Sequence, residues 1–173
     1  MLSRIAALPH QRGAWALLAA SSFILVAVAL YFQYQMELEP CVKCIYQRVA
    51  VLAIGLVALI PLVAPSSAVA RSLGFAGWLV AAGWGYLIAA DHSAMQQAAN
   101  AFFSVCDGVP AFPDFMPLHE WFPGLFEARG LCGDINWEFM SLSMPEWLQI
   151  IFASYFVTAL LVLVCRLACY RKL

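Results

Sequence analysis

The chain has 173 residues, of which 64% are hydrophobic and only 11% charged, with a formal net charge of −1. So apolar a composition excludes an ordinary soluble globular domain, and the absence of a basic excess excludes nucleic acid as a partner. A lipid bilayer is the expected solvent.

Four stretches, about 14–34, 45–63, 73–90 and 147–167, are apolar enough to form helices that cross the membrane. Spanning a hydrocarbon core of about 30 Å takes roughly 20 residues at about 1.5 Å per residue. The expected fold is an all-α integral membrane protein. Residues 1–173 would form a single membrane domain, an antiparallel bundle of four transmembrane helices with a long loop at about 91–146 between the third and fourth.

Basic residues set the orientation, because Lys and Arg flanking spans are retained on the cytoplasmic side. Arg4, Arg12, Arg71, Arg166, Arg171 and Lys172 fall on the side of the two tails and the second connection. Lys43, Arg48, Arg129 and all ten acids fall on or near the other. Both termini are therefore expected in the cytoplasm. A competing reading takes Arg4, Arg12 and the run ending in Ala27-Val28-Ala29 as a cleaved signal peptide. Against it, the apolar run continues through Leu30, Tyr31 and Phe32.

The first span carries Trp15 at its inner end and Tyr31, Phe32 and Tyr34 at its outer end, as interfacial anchors do, and Gln33 and Gln35 are expected to be solvated there, with a cofactor role the less favoured alternative. Next comes Glu39-Pro40-Cys41-Val42-Lys43-Cys44-Ile45-Tyr46-Gln47-Arg48. Pro40 favours a helix start just after it, which puts Cys41 near the cap and Cys44 in the first turn. A helix N-terminus there would stabilise the Cys44 thiolate. Arg48 follows one turn deeper on the same face. An arginine just inside a span marks a functional site or else snorkels to head groups. Gly74, Gly77, Gly83 and Gly85 of the third span suit close helix packing.

The long loop is dense in aromatics and prolines, and its segment 118–128 is expected to lie in the interface or to cover the bundle as a lid. Of six cysteines, Cys41, Cys44, Cys106 and Cys132 map outside, where disulfides are permitted. Cys165 and Cys169 map to the inner end of the fourth span and are expected to be bystanders. The outer four allow three pairings, the simplest joining Cys41 to Cys44 and Cys106 to Cys132. Spacing alone leaves a redox relay, structural staples and, least favoured, a zinc site. A staple has no need to sit at a membrane boundary beside an arginine, whereas a relay with a lipid-soluble electron acceptor does.

The segments Gln11-Arg12-Gly13-Ala14-Trp15, EPCVKCIYQR at 39–48, Cys106-Asp107, Leu131-Cys132 and Met144-Pro145-Glu146-Trp147-Leu148 together resemble the bacterial disulfide bond formation protein B (DsbB) family over nearly the whole chain. The resemblance implies an inner-membrane protein-disulfide oxidoreductase that reoxidises a periplasmic, thioredoxin-fold DsbA-like partner and passes the electrons to a quinone, ubiquinone or menaquinone. That relay is the known system that keeps a bacterial periplasm oxidising.

Carried over by position, Cys41 and Cys44 match the quinone-coupled pair, with Cys44 facing the quinone. Cys106 and Cys132 match the loop pair that meets the partner, Cys106 being the atom attacked. Arg48 and His92 match residues near the quinone, and no metal site is implied. Gln47 departs from the glutamate of some members, and the stretch from His92 to Cys106 differs slightly in length. The alternatives are a vitamin K epoxide reductase-like enzyme, in which the CxxC would stand after the loop pair, and a disulfide-stapled scaffold.

Overall fold

A computed structural model of the chain describes residues 2–97 and 108–170. Phe102, Phe103, Cys106, Asp107, Arg171, Lys172 and the side chain of Arg4 lie outside the described residues. Helix α1 (Leu2–Ala7) and one 3₁₀ turn (Leu8–His10) precede two long helices, α2 (Arg12–Gln35) and α3 (Val42–Val63). A third long helix, α4 (Ala68–Gln97), follows. After two single-turn helices, α5 (Leu118–Trp121) and α6 (Pro123–Phe126), and a hairpin of β1 (Glu138–Phe139) and β2 (Leu142–Ser143), helix α7 (Met144–Tyr170) closes the chain.

Helices α2, α3, α4 and α7 are each long and apolar enough to cross a membrane, so the expected all-α four-span architecture is the one observed. Each overruns the apolar stretch that marks it. The largest difference is in α4, where Asp91 and His92 were expected to open the loop but instead continue the helix to Gln97. The sequence DHSAMQQ contains neither Gly nor Pro, and a helix that has left the hydrocarbon no longer needs to be apolar.

The start of α3 is built as Pro40 predicts. Cys41 is extended (φ −85°, ψ 173°) and caps the helix, its Sγ accepting from the Cys44 N–H at 3.4 Å. At the start of α4, Ser67 Oγ accepts from Ala70 N–H at 3.3 Å.

Helix α3 packs against α2 on one side and α4 on the other, and α4 packs against α7. Small residues make this close approach feasible: Ala50, Ala58, Ala82 and Ala89 are fully buried. A Cβ on Gly85 would lie 2.3 Å from the Phe152 ring, on Gly77 2.6 Å from Val57, and on Gly74 2.8 Å from Pro61. Gly83 has only ordinary contact, 3.5 Å to Phe156. Trp15, Phe75 and Trp78 form an aromatic cluster with centroids 5.2–6.2 Å apart, and Trp15 Nε1 donates to Pro9 O at 2.9 Å. Arg166, buried, donates to Ala6 O and lies over the Tyr170 ring.

The loop is folded onto the bundle. Tyr34 Oη and Gln33 Nε2 donate to Gly124 O at 2.7 and 3.3 Å, so the 118–128 segment is a lid, with Phe126 buried and Trp121 and Phe122 exposed. Phe32, Trp137, Phe139 and Trp147 continue the cover, with successive centroids 5.3–6.2 Å apart.

These contacts predict that Gly85→Val will be overpacked against Phe152 and cost about 1–3 kcal/mol, while Gly83→Ala will be nearly neutral. Thermal unfolding of the two variants in the same detergent checks this, and a Phe152→Leu change should recover part of the Gly85→Val loss.

Candidate active site

The start of α3 and the C-terminal end of α4 bring four of the residues singled out in the sequence together. Cys41 and Cys44 are free thiols with their Sγ atoms 3.0 Å apart, beyond bonding distance but within thiol hydrogen-bond range. The expected simplest pairing of these two is therefore not closed here: the inner pair is a dithiol. Cys132 is disulfide-bonded and buried. Cys106 lies outside the described residues. Cys165 and Cys169 are free, at the far end of α7.

His92, 2% exposed, stands across from the pair, with Nε2 3.6 Å from Cys41 Sγ and Nδ1 3.5 Å from Gln47 Nε2. The hydrogen bond with Cys44, together with burial, holds the Cys41 thiol above the ordinary thiol range.

Arg48 neither snorkels nor forms an ion pair. It is 6% exposed, donates from Nη1 to Gln33 Oε1 at 3.0 Å and to Leu125 O, and has no carboxylate within ion-pair distance among the described residues. Its Nε is buried without a hydrogen-bond partner. Gln33, expected to be merely solvated, instead joins α2 to Arg48 and the lid. The signal was its spacing, since Gln33, Ala29 and Val26 lie four and three apart on one helix face. Gln47, where some members of the family carry a glutamate, is fully buried against His92, and its Oε1 has no hydrogen-bond partner among the described residues.

A cavity of about 340 Å³ opens beside these groups, lined by Leu25, Ala29 and Phe32 of α2, Cys44, Gln47 and Arg48 of α3, His92 of α4 and Leu148 and Ile151 of α7. That size and a mostly apolar wall with a few convergent polar atoms are what a small-molecule site requires. It lies between α2 and α7, which do not pack closely backbone to backbone among the described residues.

The loop reaches the inner pair through its backbone. Arg129 N–H and Gly130 N–H both donate to Pro40 O, at 2.9 and 3.1 Å. The approach is so close that a Cβ on Gly130 would meet Glu39 O at 2.4 Å. The segment carrying Cys132 is thereby fastened to the segment carrying Cys41.

The family model for "Disulfide bond formation protein DsbB" matches residues 11–162. The chain belongs to the DsbB family. Relatives named "Disulfide bond formation protein B" include that of Idiomarina loihiensis, 46% identical over 159 residues, 92% of this chain and 88% of that one. That of Pseudoalteromonas atlantica is 47% identical over 163 residues, covering 94% and 95%, and that of Pseudoalteromonas translucida is 44% identical over 169 residues, 98% of each chain. As a member of the DsbB family the chain is a multi-pass membrane protein of disulfide bond formation and a disulfide oxidoreductase. The scaffold and vitamin K epoxide reductase-like readings give way to this membership.

Docking of the loop predicts that Gly130→Val will release the 127–132 segment. Tryptic cleavage after Arg129 should become several-fold faster than in the parent while the helices stay resistant; an unchanged rate would mean that the Pro40 contacts do not hold the loop.

Proposed function

We propose that this DsbB-family chain is an inner-membrane thiol:quinone oxidoreductase that reoxidises a periplasmic DsbA-like dithiol oxidase. The observation that carries the reading is the cavity, where an apolar wall meets the Cys44 thiol and the Arg48 guanidinium, which has no carboxylate partner among the described residues. A ring carbonyl is an acceptor suited to a guanidinium donor, and the apolar lining suits an isoprenoid quinone. The opening between α2 and α7 would face lipid, the phase from which such a ligand comes. The charge distribution supports an orientation with both termini cytoplasmic and the Cys41 end periplasmic.

In this reading the partner's thiolate attacks Cys106 of a Cys106–Cys132 disulfide, and Cys132 leaves as a thiolate. The partner's second thiolate then attacks the mixed disulfide and departs oxidised. Cys132 attacks Cys41 of an oxidised inner pair, which releases Cys44. Closure of the loop disulfide leaves Cys41 and Cys44 as the dithiol, now holding the two electrons. A quinone in the cavity accepts two electrons and two protons when bound.

The chain's own part is to align Cys44 Sγ with that acceptor, to shield the site from water with the lid, and to supply positive charge from Arg48 to the ionised sulfur and the developing oxyanion. His92 Nε2 takes the proton of Cys41 Sγ as the inner disulfide closes. A partner of this class is known to be a strong oxidant, so thiol exchange with ordinary disulfides would not drive the transfer and a more oxidising terminal acceptor is needed.

Replacing Arg48 by His should raise the apparent KM for quinone about 10- to 100-fold, the worth of a charge-assisted hydrogen bond of roughly 1.5–3 kcal/mol. Arg48→Lys, which keeps the charge, should lose less. An unchanged KM in Arg48→His would remove the arginine from the quinone site, and Cys44→Ala reducing quinone at the parental rate would refute the terminal step.

A further inference from the structure

We infer that the reduced Cys41–Cys44 pair and His92 together form a site for a thiophilic d¹⁰ cation of the Zn²⁺ class, so that metal binding traps the dithiol state. The two Sγ atoms and one imidazole nitrogen all lie within 4.8 Å of one another. Sγ of Cys41 is 3.0 Å from that of Cys44 and 3.6 Å from His92 Nε2. Ligands about 2.0–2.3 Å from a tetrahedral zinc stand roughly 3.3–3.8 Å apart. Small side-chain rotations that widen the S–S separation and draw His92 toward Cys44 would meet this spacing, with no change in the backbone.

Two further features favour such an ion. The unpartnered Oε1 of Gln47 belongs to an amide whose Nε2 sits 3.5 Å from His92 Nδ1. Turning the amide over places Oε1 on a Nδ1–H, the hydrogen bond that holds a metal-bound histidine in the tautomer with Nε2 free for the ion. The charges also balance. Two thiolates cancel a dication, so the filled site is neutral beside buried Arg48 and carries no net charge into a low-dielectric region. The Lys43–Asp91 pair flanking the site is already internally matched. Cys41, Cys44 and His92 all line the cavity, which leaves room on that side for a fourth ligand.

Binding moves no electrons. The ion replaces the protons of two thiols, releasing up to two, and oxidation to the disulfide removes both thiolates and expels it. The consequence for turnover rests on the proposed relay; the binding itself rests only on the geometry.

The test uses the full chain in detergent with Cys106, Cys132, Cys165 and Cys169 changed to Ser, reduced without oxygen and titrated with Cd²⁺. One equivalent should bind with a thiolate-to-metal charge-transfer band, and added Zn²⁺ should displace it. His92→Ala should weaken binding at least tenfold, His92→Cys should restore it, and Gln47→Ala should weaken it roughly 10- to 100-fold. No saturable band, or equal affinity in His92→Ala, overturns the site; far-UV circular dichroism shows whether each variant is folded. With all six cysteines present, Zn²⁺ should slow quinone reduction and a chelator should restore it; turnover unaffected by Zn²⁺ at saturating occupancy overturns the trapping. A metal-free protein that cannot reduce quinone at all contradicts the proposed relay instead, while the binding result stands.

Discussion

The guanidinium of Arg48 is the contact on which the half of the molecule that carries the inner cysteine pair depends. A cation one turn inside an apolar helix carries a desolvation penalty of several kcal/mol unless its donors are met. Here Nη1 is met from two other parts of the chain, Gln33 on α2 and the Leu125 carbonyl in the lid, while Nε has no partner among the described residues. Satisfying that charge therefore pulls the loop down onto the bundle. No described carboxylate stands within ion-pair distance, so the charge stays available to an anion formed in the cavity, and Cys44 is one turn away.

The rest of the fold keeps this corner in register. Alanine and glycine on α3 and α4 bring the two helices close, and Phe152 of α7 fills the notch left at Gly85. That closeness sets His92 opposite Cys41. The cavity lies between α2 and α7, which do not pack closely backbone to backbone among the described residues.

Much of this was legible in the chain. Four apolar stretches of spanning length and an uneven distribution of basic residues point to the bundle because hydropathy and charge act locally along the sequence. The Cys41/Cys44 spacing and Pro40 announce a capped helix start for the same reason. Hydropathy could not reveal that α4 runs on to Gln97, because a polar helix outside the hydrocarbon looks like a loop on that scale. Nor could it reveal the partners of Arg48, one of which, Leu125, stands 77 positions away and offers only a backbone carbonyl. Gln33 looks like an interfacial polar residue, and Gln47 like a mere departure from the family's glutamate, until the helices are placed side by side. The roles of the individual cysteines come from resemblance to the family rather than from spacing, which leaves three pairings open.

The central claim is that electrons entering at the loop leave through Cys44 to a quinone. Its most direct test is anaerobic mixing of the purified protein with ubiquinone and a reduced thioredoxin-fold partner, following quinone absorbance and partner thiols together. The account predicts that quinone absorbance falls as partner dithiol is lost, one quinone for each dithiol. Loss of partner thiols with quinone absorbance unchanged would contradict it.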